Sequence, residues 1–335
     1  MAGSTVKADL WLKDYITPWD VYEHGVTEIL VHQTTPFQEL MILRTGAYGK
    51  ALVLDGKWQS CTGDEFLYHE SLVQPACIAH CIAHRIPHGG PRRVLILGGG
   101  EGATAREVLR WHSVEQVVMV DIDGAVVAAC KQHLPEMHAQ AFDDPRLELV
   151  IGDALDYVQD CERSGAQAWD IILSDLADPI EDGPAYPLFT QEFFRRLQGL
   201  LAPGGYCVVQ AGSVALGEIV LHARLINTLR TVFNQVVSYH SAIPTFGVPW
   251  GFALCAQQPI ATRPDPERVD RLLAEQTTGD LQLIDGATLL GLMQTPKFVR
   301  AAIAAYPEVY TLADPPQFPG QGLGVGSVSG DRPVS

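Results

Sequence analysis

The residues of this 335-residue chain that could do chemistry gather in four short segments, and nearly all of them are carboxylates. The apolar run Val94-Leu-Ile-Leu97 leads into Gly98-Gly-Gly-Glu-Gly102, a glycine-rich turn that lets backbone approach a ligand closely at the carboxyl edge of a sheet. Asp121 closes the next apolar run, 23 residues after Gly98, the interval of a ribose-binding acid. Gly152-Asp153-Ala154 closes a third run, and Ser174-Asp175-Leu-Ala-Asp178-Pro179 a fourth. The window from Asp170 to Asp182 holds five acids and no base. A glutamate inside the glycine loop would repel a pyrophosphate, so a dinucleotide fits poorly. A nucleoside carrying positive charge, such as the sulfonium of S-adenosylmethionine or a relative, fits well. Each acid also has a plainer reading: Glu101 as a helix-terminal acid gaining from the dipole, Asp153 as a helix cap, the 170–182 window as a solvated loop. Their shared place at strand ends, with no Lys or Arg in these turns, favours a strongly anionic pocket whose second substrate is a polycation.

These motifs, with Tyr68-His69-Glu70, Asp121-Ile-Asp123 and Ile243-Pro244-Thr245, resemble the spermidine synthase (polyamine aminopropyltransferase) family over roughly residues 24 to 310. The resemblance implies a co-substrate, decarboxylated S-adenosylmethionine, with no other cofactor and no metal. Its aminopropyl group would pass to an amine, releasing methylthioadenosine. Carried over motif by motif, it implies donor contacts from Gln33, Gly98, Gly100, Glu101, Gly102, Asp121, Asp153, Ala154 and Pro184. It implies acceptor contacts from Tyr68, His69, Glu101, Asp175, Asp178 and Tyr239, with Asp175 as the catalytic base. A base is needed because an alkylammonium titrates near pH 10, leaving about one molecule in a thousand free to attack at pH 7.

The chain departs from common spermidine synthases at Glu101, where aspartate is more frequent, and in the longer Ile180-Glu-Asp-Gly-Pro-Ala-Tyr186 segment. In these details, and in Tyr239-His240 and Pro249-Trp-Gly251, it is more similar to thermospermine synthases and to bacterial triamine or agmatine aminopropyltransferases. The expected acceptor is putrescine, giving spermidine, with spermidine or agmatine as alternatives. Rival functions are a putrescine N-methyltransferase, which uses intact S-adenosylmethionine, and a non-catalytic polyamine-binding protein.

The elements that must position these residues follow from pattern. Short strands with turn punctuation between residues 26 and 61 predict a small antiparallel sheet. Asp64 to His84 reads as a linking helix, bent or interrupted near Pro75, and the breaker cluster His88-Gly-Gly-Pro91 marks a boundary. Beyond it, apolar runs at 94–97, 117–120, 147–151, 171–173, 206–209 and 252–255 alternate with helical segments, which predicts an α/β, Rossmann-like, doubly wound sheet. The expected domains are 1–90, a β-domain with the linking helix; 91–314, the catalytic domain; and 315–335, a mobile Gly/Pro/Ser-rich tail.

Composition agrees. Hydrophobic residues make up 47% and charged residues 19%, which excludes disorder over most of the length. A formal charge of −16 argues against nucleic acid and anionic membranes as partners. Seven scattered cysteines without a Cys-x-x-Cys pair predict buried thiols in a reducing, cytoplasmic setting. Cys77, His80, Cys81 and His84 could share a helical face as a metal cluster, but core packing is the preferred reading. No run of eighteen uncharged apolar residues occurs, and Lys7 is not followed by a long apolar run. The family resemblance implies a homodimer or homotetramer.

Overall fold

The computed structural model describes residues 8, 10–17, 19–84, 90–165, 168–179 and 185–316. The expected 88–91 boundary lies partly outside them, Pro184 lies outside them, and so does the tail from residue 317 on. Five antiparallel strands come first: β1 (Leu10–Thr17), β2 (Asp20–Thr34), β3 (Glu39–Thr45), β4 (Lys50–Leu54) and β5 (Lys57–Cys61), ordered β1-β2-β3-β4-β5. The β4–β5 hairpin turns on Asp55 and Gly56, both at positive φ, as a two-residue hairpin loop requires. The sheet curls so far that its two edges meet: Asp14 on β1 accepts hydrogen bonds from Lys57 and from the Trp58 backbone, both on β5.

Helix α1 (Glu65–His84) connects the sheets and runs unbroken through Pro75, where the sequence pattern predicts a bend or interruption. Proline removes the N–H that would bond the carbonyl four residues back, that of Ser71. The Tyr239 hydroxyl donates to that carbonyl at 2.8 Å, so the orphaned acceptor is satisfied from outside the helix. Every side chain from His69 to Cys81 is buried, so packing holds the helix together.

The second sheet is built from β6 (Arg93–Gly98), α2 (Ala103–Leu109), β7 (Gln116–Asp121), α3 (Gly124–His133), α4 (Pro135–His138), β8 (Leu147–Ile151), α5 (Ala154–Ser164) and β9 (Trp169–Asp175). It continues through α6 (Gln191–Leu200), β10 (Leu201–Ser213), α7 (Ile219–Arg230), β11 (Gln235–Ala242) and β12 (Pro249–Ala256), followed by α8 (Pro266–Gln276), α9 (Gly286–Leu292) and α10 (Lys297–Ala305). Its order is β11-β12-β10-β9-β6-β7-β8. The five strands from β10 to β8 are parallel, whereas β12 pairs antiparallel with both β10 and β11, so the Rossmann-like sheet is mixed. Val94–Leu97 and Ile171–Leu173 are fully buried, as expected of central strands covered on both faces. Sequence patterning missed β1, β11 and the short helices α4 and α9.

All seven cysteines are buried and free. Cys77 and Cys81 join the core, and His80 stacks on His84 at 4.1 Å; among the described residues these four do not converge as a metal-binding group. No helix among the described residues is long and apolar enough to cross a membrane.

Candidate active site

A cavity of about 670 Å³ opens where the carboxyl ends of β6, β7 and β9 face the curled sheet. Two close approaches explain the glycine loop. A Cβ on Gly98, which is at φ 84°, would stand 2.1 Å from the Asp175 carbonyl, so glycine is what lets the β6 end lie against β9. A Cβ on Gly100 would meet the Asp121 carboxylate at 2.7 Å. Gly98, Gly100, Glu101, Asp121, Asp153 and Ala154 all line the cavity. Gly102 does not: it precedes α2 at φ 83° and packs against His138 and Phe142, so its constraint is conformational and steric. Asp153 serves twice, capping α5 through the Leu155 N–H at 2.7 Å while facing the cavity.

At the centre sits Asp175. Its Oδ1 accepts from the Tyr68 hydroxyl at 2.7 Å and its Oδ2 from the Thr104 hydroxyl at 2.6 Å, Thr104 being in the first turn of α2. Burial, then the Glu101 charge, push the carboxyl up to about 6, against the pull of His69, Thr104 and Tyr68. Burial likewise pushes Asp121 and Asp178 up to about 6, in Asp178 against the Gln210 amide, which donates at 3.1 Å, and against Lys57. Burial and the adjacent Asp175 hold the Tyr68 phenol well above 10. Three cavity carboxyls thus sit where a cation would be welcome.

His69 is not part of the cavity wall. It lies behind Glu101, with Nε2 at 2.7 Å from the Glu101 carboxylate and Nδ1 at 2.7 Å from that of Glu65. Burial alone would lower the imidazolium, but hydrogen bonds to Glu101 and Glu65 outweigh it and push the group up to about 10. Glu65 in turn receives both terminal nitrogens of Arg106 at 2.9 Å; burial opposes its ionisation, yet His69 and Arg106 pull it down to about 2. The chain Arg106–Glu65–His69–Glu101 therefore holds the loop carboxylate rigidly. His69, Glu101 and Asp175 offer ligand atoms within 4.8 Å of one another, but an imidazolium with both nitrogens engaged has no lone pair for a metal.

Two further expectations need correction. Gln33 is exposed on β2 and outside the cavity. Gln38, which closes the turn at residues 35–38, does line it, and its amide donates to Asp123 at 3.1 Å. Tyr239 is 1% exposed, stacked on Phe252 and committed to Ser71, so its hydroxyl serves the helix at Pro75 and does not reach the cavity. Sequence reading also missed Thr104 and Gln210, and gave Trp250 no site role beyond its place in Pro249-Trp-Gly251; the Trp250 indole donates to Gln210 at 3.1 Å. It missed Asp14 and Lys57 as well, which line the far end. Trp58 and Phe246 add aromatic walls.

A glycine loop on a Rossmann-like sheet, opening on a carboxylate-lined cavity, is the frame of a nucleoside-binding site suited to a cationic ligand. The spermine/spermidine synthase domain family matches residues 65–264, and the spermidine synthase tetramerisation domain family matches residues 10–61. A polyamine aminopropyltransferase of Synechococcus sp. (strain JA-2-3B'a(2-13)) is 56% identical over 94% of this chain and 99% of its own. One from Aeropyrum pernix is 41% identical over 93% and 98%. The spermidine synthase of Thermotoga maritima superposes with a TM-score of 0.76 at 26% identity, covering 89% of this chain and 96% of that one. A spermidine synthase solved in complex with the transition state analogue AdoDATO gives 0.78 at the same identity and coverage. The chain belongs to the spermine/spermidine synthase family. Its activity is polyamine aminopropyl transfer, and the matched tetramerisation domain points to an oligomer.

Proposed function

We propose that the donor is decarboxylated S-adenosylmethionine, the acceptor putrescine, and the products spermidine and methylthioadenosine. The observation that carries this reading is the placement of Asp175, hydrogen-bonded by Tyr68 and Thr104, in one cavity with Asp178 and the Gly98–Glu101 loop. In this reading Asp121 receives the ribose, Asp153 and Ala154 the adenine, and Glu101, braced by His69, the donor's propylammonium. Tyr68 and Asp175 receive the acceptor's reacting amine, and Asp178 its far ammonium. Asp175 takes the proton, its raised carboxyl making transfer from an ammonium less uphill. The free amine attacks the methylene beside sulfur, a C–N bond forms as the C–S bond breaks, and the electron pair leaves with a neutral thioether. Positioning and a preorganised anionic wall supply the catalysis.

We also place the enzyme in the cytoplasm, as a homodimer or homotetramer, its buried thiols suiting a reducing compartment. The test is a panel in which purified protein meets the donor with putrescine, agmatine or spermidine and methylthioadenosine is measured. Release is expected with putrescine; release with agmatine or spermidine alone would reassign the acceptor. Methylation of putrescine by intact S-adenosylmethionine would replace this reading with the methyltransferase.

A further inference from the structure

The far end of the cavity holds a cation of the protein's own. Lys57 and Asp14 both line it, and the Lys57 ammonium lies 2.9 Å from the Asp14 carboxylate while also donating to the Tyr15 carbonyl. Asp14 is only 7% exposed, and its other oxygen accepts from the Trp58 N–H at 3.3 Å. Glu218 lines the same end, and Asp178, Asp14, Glu218 and Lys57 lie close enough for their charges to act on one another. The aromatic walls Trp58, Phe246 and Trp250 lie on the same cavity.

A lysine side chain is a butylammonium. Its head, shared between a carboxylate and a backbone carbonyl, makes the contacts that the terminal ammonium of a long oligoamine would make there. We infer that Lys57 is a specificity-determining residue, a tethered ammonium that fills the position beyond Asp178 and so favours a diamine acceptor over a triamine. This rests on the proposed reaction. An acceptor one aminopropyl unit longer would bring a further ammonium to Asp14 and Glu218, where Lys57 repels it and already holds Asp14. A purely structural alternative exists, because Lys57 and Asp14 join the two edges of the curled sheet; it predicts lost stability without a change in acceptor preference.

The experiment compares kcat/KM for spermidine and putrescine, read as methylthioadenosine release, in wild type and variants of the full chain. In Lys57→Met the spermidine-to-putrescine ratio is expected to rise at least about tenfold, the effect of one gained ammonium–carboxylate contact. Lys57→Arg is expected to keep the wild-type ratio, and the double variant Lys57→Met with Asp14→Asn to cancel the gain. A Lys57→Met ratio within about twofold of wild type, in protein that melts cooperatively and binds donor, would overturn the inference. If Lys57→Met does not fold, Lys57→Gln takes its place: it removes the repelling charge, so the ratio is expected to rise, by a smaller factor because an amide can still compete for Asp14, and a ratio no higher than wild type would overturn the inference there too. Wild type inert with every amine would instead sink the reading of the reaction.

Discussion

The two ends of the cavity are built on different principles. At the reaction end, carboxylates stand at or just beyond the ends of parallel strands, and two of them are braced: Asp175 by Tyr68 and Thr104, and Glu101 by His69. At the far end, Lys57 and Asp14 meet across the seam of a curled antiparallel sheet. The difference separates tasks. A proton transfer needs tenths of an ångström and a rigid frame, whereas choosing an amine by length needs only a charge at the right depth. Perturbation of the first end should therefore cost rate, and of the second, selectivity.

The largest effect is expected at Asp175. Asp175→Asn should lower kcat by about a thousandfold, the scale of a lost general base, while donor affinity measured by calorimetry stays within about threefold. Unchanged turnover would remove Asp175 from the base role. The same variant should melt at a higher temperature than wild type at pH 8, because it deletes a buried charge beside Glu101. His69→Gln comes next. It leaves Glu101 without its cation, and kcat/KM should fall by about ten- to a hundredfold, chiefly through weaker donor binding. Stability should fall by about 3 kcal/mol, the scale for breaking a buried ion pair. A loss of stability with donor affinity intact would make the relay structural.

The carboxyls also set a pH signature. Asp121, Asp175 and Asp178 sit at about 6 in the folded protein, against about 3.9 unfolded. Between those values the folded state holds protons that the unfolded chain has released, so their contribution to stability declines as pH rises from about 4 through 6. Urea midpoints of the ligand-free protein across that window test the slope, which should flatten when donor and amine neutralise the pocket. kcat/KM should rise with pH across the same range, as Asp175 becomes ionised. A flat urea profile would mean that these groups do not bind protons differently in the two states.

Much of the reaction end was legible in the sequence because the parallel-strand rule links position to place. Once a strand is read from its apolar run, its last residue and the turn after it are known to face the cleft, which places Asp121 and Asp175 at strand ends and Glu101 and Asp153 just beyond them. The same rule is silent on what side chains do next. His69 and Tyr68 are adjacent on one helix, yet Tyr68 reaches the cavity and His69 turns to Glu65 and Glu101, a choice made by partners 4 and 32 residues away. Tyr239 was misplaced because its partner is a carbonyl freed by a proline on another element. The far end was illegible altogether, since β1 escaped detection and the contact between sheet edges depends on curl, which no local pattern encodes.

The smallest expected effect separates two glutamines five residues apart. Gln33 stands in an extended strand with its side chain in solvent, so Gln33→Ala should leave donor affinity within about twofold. Gln38 follows the turn in which Thr35 donates to Asp123 at 2.6 Å, and its own amide reaches the same carboxylate at the cavity wall. Asp123 caps α3, and its backbone N–H donates to Asp121, so Gln38 is linked to Asp121 through one intermediary. Gln38→Ala should weaken donor binding about five- to tenfold by calorimetry and leave the amine preference alone, because Lys57 and Asp14 are untouched. Equal effects of the two substitutions would mean that the turn, and not the glutamine side chain, positions this wall, and the boundary between the two ends would then lie in the backbone.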